Sequence, residues 1–297
     1  MKIAIASYID TGRYESMVPD EDQMLLKLFK DHNHEVELLV WDEPSVQWEN
    51  YDCVIIKSTW DYFIGKIEKF YQWLELLKQK NVKCFNHPDI IKWSADKHYL
   101  LDIEKAGLKI VPTTIIEKGN KLNIDELLIK FNSEELVIKP CVSGAAMNTF
   151  RVDKNIPADV LAEINALLLE ESYLVQPLKK EILTEGEWSF VYFNQKFSHH
   201  LLKSGKENDF RVQHFWGGSI NTPKYHDEML MQAKQYIEHF AKDTLYARVD
   251  AVWSNNQLEL MELELIEPYL FFFTNDQSLE NYYNAFIELY NSKKISW

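Results

Sequence analysis

The stretch Tyr246–Pro268, YARVDAVWSNNQLELMELELIEP, leaves little freedom to the chain around it. Alternating apolar and polar runs flank Ser254–Asn255–Asn256, and a polar turn between two such runs reads as a β-hairpin. Strand side chains point to opposite faces in turn. Glu262 and Glu264 therefore share one face, while Leu263 and Leu265 share the other. Asp250 sits in the partner strand and comes close to both acids if the hairpin closes across that turn. Crowded anions repel: a pair about 4 Å apart costs about 4 kcal/mol at an effective dielectric of about 20. A divalent cation removes the cost, and an all-oxygen donor set selects Mg²⁺ or Mn²⁺ over zinc. The plainer alternative is an amphipathic hairpin whose acids face water, which is common for alternating glutamates. A fourth acid, Glu267, running into the apolar stretch Tyr269–Phe273, weighs against it.

The N-terminal part alternates between strand-like and helix-like runs. Lys2–Tyr8, Glu35–Trp41, Asp52–Lys57 and Val82–Phe85 read as strands. Glu21–His32 and Lys66–Lys80 carry apolar residues at helical spacing (Met24, Leu25, Leu28, Phe29; Phe70, Trp73, Leu74, Leu77). Strands separated by helices of this length imply a parallel sheet with crossover helices. A second part is expected to start near Ser94 with a helix over Ala95–Ala106, ended by Gly107. Strands follow at Val111–Ile116, Glu135–Lys139 and Tyr173–Gln176, then a meander of Trp188–Phe193, Lys196–Lys203, Tyr246–Trp253 and Gln257–Ile266. Lys224–Lys242 and Ser278–Ser292 read as helices. The pattern divides the chain into residues 1–95, an N-terminal α/β unit, and residues 96–297.

With 297 residues, 46% of them apolar, the chain is long enough for two packed units. Its 46 acids against 32 bases give a formal charge of −14, which disfavours nucleic acid as a partner, since phosphate neutralisation needs a basic face. A few local cations still suffice for a phosphate ligand. Cys53, Cys84 and Cys141 form no C-x-x-C pair, so neither a disulfide framework nor a zinc site is suggested, and each reads as a small buried apolar residue. No run suits a secretory signal or a membrane span, so the cytoplasm is the expected address. His199 and His200 lack partners at metal spacing and read as packed or solvated.

Two other segments could meet a phosphate. Leu136–Pro140 is an apolar strand ending in Lys139, followed by the small-residue loop Cys141–Phe150 with Ser143, Gly144 and Ala145. Small side chains let backbone N–H groups approach an anion, and lysine adds a point charge. No Walker A or G-x-G-x-x-G pattern occurs. The second segment, KSGKENDFRVQHFWGGS, supplies Lys203, Arg211 and the pair Gly217–Gly218; taken alone it reads more simply as a surface loop. Lys97 is a further cation near a helix start.

Taken in order, Lys97, VIKP-x-x-SGA, VQPL, EGEWSF, DFRVQ-x-x-x-GG, RVD and ME-x-E-x-x-EP resemble the ATP-grasp superfamily, glutathione-synthetase-like branch. STWDY, KHYL, EGEWSF, DFRVQ, YARVD and LMELELIEP are most similar to the O-ureido-serine cyclo-ligase family, over nearly the whole chain. The resemblance implies an α/β (α+β ATP-grasp) fold, with an N-terminal parallel-sheet domain followed by two subdomains (96–178 with a small lid, 179–297) that clamp a nucleotide between antiparallel sheets. It implies ATP and Mg²⁺ as cofactors. Lys97 and Lys139 then match the nucleotide-contacting lysines, and Ser143–Thr149 the loop over the triphosphate. Gln176–Leu178 match the adenine hinge, with Glu181 or Glu187 near the ribose. Arg211 and Gly217–Gly218 match the phosphate clamp, joined by Lys203. Asp250, Glu262 and Glu264 fall on the metal ligands. Glu264 stands where asparagine is usual in the wider superfamily, which favours two Mg²⁺ ions, with Mn²⁺ as a substitute. Lys57 stands where arginine is expected. Ser58, Thr59, Trp60 and Asp61 follow a strand end and, with Glu267, are expected to border the acceptor site.

The activity implied is ligation of a small-molecule carboxylate to an amine, or ring closure, through an acyl phosphate with release of ADP and phosphate. Lys139 and Arg211 would spread transition-state charge. The implied partners are small molecules, with no nucleic acid and no membrane; relatives are often dimers or tetramers, so a homo-oligomer is compatible. A nucleotide sensor without catalysis and an ATP-grasp phosphotransferase are the competing readings.

Overall fold

The computed structural model describes residues 1–9, 19–206 and 218–292. Three sheets organise them. The first is built from β1 (Lys2–Ser7), β2 (Glu35–Val40), β3 (Cys53–Ser58) and β4 (Cys84–Phe85), all parallel, in the order β2-β1-β3-β4. Its crossovers are α1 (Glu21–Asp31) and α2 (Ile67–Gln79), whose buried residues are those that the apolar spacing selects: Leu25, Leu28 and Phe29, then Phe70, Trp73, Leu74 and Leu77. Asp20 caps α1 by accepting from the N–H groups of Asp22 and Gln23.

The connection onward differs from the single helix expected over Ala95–Ala106. Pro88–Ser94 forms α3, with proline at its first position, and Tyr99–Lys105 forms α4. Between them Asp96–His98 make a turn in which the Asp96 carboxylate accepts from the His98 N–H at 3.0 Å, a local bond that competes with continuous helix.

A second, antiparallel sheet comprises β5 (Thr114–Ile116), β6 (Glu135–Pro140), β7 (Phe150–Asp153) and β8 (Tyr173–Pro177), in the order β5-β8-β6-β7. Helices α5 (Ile124–Phe131) and α6 (Ala158–Leu167) cover its outer face, around Leu136, Ile138, Val152, Tyr173 and Val175. Neither helix nor β7 was expected from the sequence.

The third sheet is also antiparallel. It joins β9 (Glu187–Phe193), β10 (Lys196–Ser204), β11 (Ser219–Asn221), β12 (Tyr246–Ser254) and β13 (Gln257–Glu264) in the order β11-β10-β9-β12-β13; the five-residue helix α7 (Lys180–Thr184) leads into it. Asn255 and Asn256 both have positive φ, the conformation of a tight two-residue hairpin loop. Helices α8 (Asp227–Phe240) and α9 (Ser278–Tyr290) pack on this sheet. One hydrophobic cluster runs from Ile3, Ile5 and Phe29 through Phe193 and Tyr246 to Phe286 of α9, so the parallel sheet and the five-stranded sheet share a core. Among the described residues no helix is long and apolar enough to cross a membrane.

Candidate active site

The hairpin of β12 and β13 pairs so that Asp250 faces Glu262 and Arg248 faces Glu264. A bulge lies between Asp250 and Ala251, leaving Met261 as the extra residue beside Glu262; bulges of this kind re-aim neighbouring side chains. Across the cleft, β6 alternates. Leu136 and Ile138 enter the core of their own sheet, which turns Val137 and Lys139 toward the hairpin. The Lys139 ammonium donates to Glu262 Oε1 at 2.6 Å and so links the two antiparallel sheets.

This cleft is lined by Lys97, Lys139, Ser143, Gly144, Ala145, Gln176, Leu178, Glu187, Lys203, Asp250, Glu262, Glu264, Glu267 and Trp60, a set that sequence motifs alone had scattered over some two hundred positions. The acids do not splay into solvent. Lys97 donates to Ser143 O at 2.8 Å, which places the first lysine against the small-residue loop. In that loop Ala145 and Ala146 both take left-handed backbone (φ 55°), which alanine adopts at a cost of about 1–2 kcal/mol. Gly144 abuts the N-terminal segment so closely that a Cβ there would stand 2.5 Å from the Phe63 ring.

Other expected residues are placed differently. Glu181 accepts from the Ser254 hydroxyl and does not line the cleft, whereas Glu187 lines it and pairs with Lys203. Ser58 donates to Asp22 at 2.7 Å. Asp61 accepts from the Trp41 indole at 2.7 Å and pairs with Lys66, and Thr59 is buried; none of these three lines the cleft. Their places are set by the parallel sheet, whose strand end turns only Trp60 outward, with its indole donating to Glu267 O at 2.9 Å. Gly218 is buried just before β11 and is not among the lining residues. Arg211 and Gly217 lie outside the described residues.

Arg248 was missed by the sequence reading. It stands two positions before Asp250 on the same strand face, a spacing that could have revealed it. Its guanidinium donates to both Asp250 oxygens (2.7–3.1 Å) and to Tyr269 O at 2.7 Å, while lining the cleft. Tyr62, Phe63, Tyr269 and Phe271 also line it without having been expected.

The charges are unevenly matched. Burial pushes the Asp250 carboxyl up, but Arg248, Lys203 and the Ser189 hydroxyl pull it down further, well below the usual carboxylate range. Glu262 is likewise raised by burial and lowered more by Lys139 and Lys97, to about 2. Glu264 goes the other way: burial raises it, Arg248 opposes, and Glu262 and Asp250 push it on to about 7. Burial and the neighbouring Glu264 hold Glu267 well above the ordinary value. The cleft therefore has more carboxylate than its cations satisfy, and the excess is made of oxygen donors only. That donor set fits Mg²⁺ or Mn²⁺, with Asp250, Glu262 and Glu264 as the holders.

A parallel sheet followed by two antiparallel sheets that face each other over this cleft defines the ATP-grasp fold. Over nearly their whole lengths, solved ATP-grasp structures superpose on the chain. They include a RimK domain protein from Sphaerobacter thermophilus (TM-score 0.68, 11% identity, 95% of this chain and 97% of that one) and D-alanine–D-alanine ligase from Bacillus anthracis complexed with ATP (0.70, 15%, 98% and 97%). More particularly, D-cycloserine synthetase DcsG superposes with a TM-score of 0.84 at 19% identity, over 98% of this chain and 100% of that one. Residues 3–86 match the family model described as the N-terminal domain of D-cycloserine synthetase DcsG. In sequence, the cycloserine biosynthesis protein DcsG of Streptomyces lavendulae is 23% identical over 171 residues; the match spans 56% of this chain and 56% of that relative, about half its length. The resemblance read from the sequence is borne out in fold and in these matches.

Proposed function

We propose that the protein is an ATP-dependent carboxylate–amine ligase, ring-closing or intermolecular, which activates a small-molecule carboxylate as an acyl phosphate and releases ADP and phosphate. The observation that carries this reading is the meeting of Lys139, Arg248, Asp250, Glu262 and Glu264 in one cleft between two antiparallel sheets. Bound at Asp250, Glu262 and Glu264, Mg²⁺ (two ions, or Mn²⁺ in its place) would supply charge neutralisation at the phosphate oxygens.

The chain's own residues divide the remaining work. Lys97 and Lys139 contact the phosphates from one side and Lys203 from the other, and Ser143, Gly144 and Ala145 offer backbone N–H groups. Gln176 and Leu178 border the base, and Glu187, not Glu181, faces the ribose. Arg248 is placed to stabilise the tetrahedral oxyanion that forms when an amine attacks the activated carbonyl. Arg211, Gly217 and Gly218 belong to the same reading as parts of the phosphate clamp. Closing the cleft matters because an acyl phosphate exposed to water hydrolyses. Trp60 and Glu267 border the acceptor. Glu267 Oε2 is buried without a hydrogen-bond partner, and an N–H donor of an amine substrate would satisfy it. Residues 1–95 serve as the acceptor-side unit and 96–297 as the nucleotide-binding unit. The substrates are soluble small molecules, handled in the cytoplasm, and a homo-oligomer is compatible with the reading. The whole-length likeness to D-cycloserine synthetase favours ring closure of a small amino-acid derivative.

A screen of small acids and amines, read by ADP release in Mg²⁺-ATP, tests the proposal. The expected products are ADP and phosphate. Asp250→Asn and Glu262→Gln should lose turnover, and Arg248→Ala should lower kcat by about 10²–10³-fold. Wild-type rates in both carboxylate variants, or AMP and pyrophosphate as products, would end the reading. A stable phosphorylated product would point to a phosphotransferase, and tight ATP binding without Mg²⁺ or turnover to a sensor.

A further inference from the structure

Outside the acid-lined cleft, one cluster joins three donor chemistries on two separate elements. Asp96 and His98 lie in the turn before α4, on either side of Lys97, and Cys141 follows β6 at the foot of the small-residue loop. The Lys97 N–H donates to Cys141 O at 2.9 Å, a backbone bond that fastens the turn to the strand end. As a result a carboxylate oxygen of Asp96, a ring nitrogen of His98 and the Cys141 sulfur all lie within 4.8 Å of one another.

Two further observations bear on what could sit there. The His98 ring uses both nitrogens on carboxylates: Nδ1 lies 2.5 Å from Asp96 Oδ1, and Nε2 lies 3.3 Å from Glu117 Oε1. Glu117 is itself held, since its other oxygen accepts from the Ser172 hydroxyl at 2.9 Å. A carboxylate behind an imidazole is the arrangement that fixes the tautomer and direction of a metal-binding histidine. The neighbouring cation is also committed elsewhere: the Lys97 ammonium donates to Ser143 O at 2.8 Å.

We propose that Asp96, His98 and Cys141 form a binding site for zinc or another thiophilic divalent cation, with Glu117 orienting His98. One oxygen, one nitrogen and one sulfur donor select zinc over Mg²⁺, and three protein ligands leave the fourth tetrahedral position to water. Donors at about 2.0–2.3 Å from a common ion stand about 3.5 Å apart. Asp96 and His98 therefore part by about 1 Å, exchanging their mutual hydrogen bond for bonds to the ion. Their side chains are 39% and 36% exposed, which gives both the room to move and the ion a path in from solvent. As the bonds to the ion form, Cys141 loses its thiol proton and His98 the Nδ1 proton it shares with Asp96, both to solvent, while Nε2–H continues to donate to Glu117. The location gives the site its consequence: a bound ion clamps the turn that carries Lys97 to the base of the loop that carries Ser143, holding the two together before any nucleotide arrives.

The test titrates metal-stripped, full-length protein with Co²⁺ and reads the thiolate-to-cobalt charge-transfer absorption. An oxygen-only cluster such as Asp250, Glu262 and Glu264 cannot produce that band, so the outcome is independent of the ligase reading. One equivalent of Co²⁺ should saturate it, Zn²⁺ should displace it, and Glu262→Gln should leave it intact. Cys141→Ser should abolish it, His98→Gln should abolish it at a more exposed position if the serine variant folds poorly, and Glu117→Gln should weaken the affinity about 10–100-fold. Zn²⁺ should raise Tm for the wild type and not for the ligand variants. No band in the wild type, or a band that survives both Cys141→Ser and His98→Gln, overturns the proposal.

Discussion

At the scale of single residues, the floor of the cleft depends on two buried polar anchors that meet at Leu270. Its N–H donates to the Glu21 carboxylate at 2.8 Å, and its carbonyl accepts from His199 Nε2 at 2.7 Å. Glu21 in turn pairs with Lys57 at 3.0 Å, both fully out of solvent, and Lys57 donates to Pro268 O at 2.8 Å. Removing one member of a buried pair strands the other charge, so Lys57→Met should destabilise by about 3–5 kcal/mol in a denaturant melt, whereas the double change with Glu21→Gln should recover part of it. His199 supplies a pH dependence. Burial drives its pKa down from 6.5 to about 4, so the folded state holds it neutral while the unfolded chain protonates it near 6.5. Its contribution is fully present above pH 6.5 and is lost as pH falls through that window to about 4, amounting to about 3 kcal/mol. Unfolding free energy measured against pH should show this decline, and His199→Gln should flatten it. Of the two readings the sequence left open for His199, packed or solvated, the buried one holds, and Lys57, two hundred positions from its partner carbonyl, gave no hint of its pairing.

At the scale of elements, periodicity was informative where a segment has one buried face. α1, α2 and the β12–β13 hairpin followed their apolar spacing, and the acids of the hairpin share a face because strand geometry demands it. It failed where short segments are covered late, by other elements. β7, β11 and the helices α5 and α6 were not foreseen, and the Asx turn at Asp96 cut a helix that apolar spacing alone would have continued. The contact between Phe63 and Gly144 is another product of assembly. Gly144→Ala puts a methyl 2.5 Å from the ring, an overpacking worth about 1–3 kcal/mol, so ATP affinity measured by calorimetry should fall about tenfold or more. Adding Phe63→Leu should restore much of it. If the single variant binds ATP as the wild type does, the loop does not need this contact.

At the scale of the molecule, the shared core decides how the parts behave together. Phe286 of α9 packs with Phe29 and Phe85 of the N-terminal unit at ring distances of 5.0 and 5.4 Å, in the same cluster as Phe193 of the five-stranded sheet. Phe286→Ala should therefore cost about 3–5 kcal/mol and lower the melting of the N-terminal and C-terminal parts in one transition, as seen by calorimetry. Two separated transitions would contradict a common core. What the amino-acid order settled on its own is local: which runs form the parallel sheet, which acids lie on one hairpin face, and which motif succession carries the resemblance, because these depend on spacing along the chain. Only the folded molecule decided which residues meet. Lys139 on Glu262, Arg248 on Asp250, Glu187 and not Glu181 in the cleft, and Cys141 beside Asp96 and His98 all arise from the packing of strands and turns far apart in sequence, where no local periodicity records the distance.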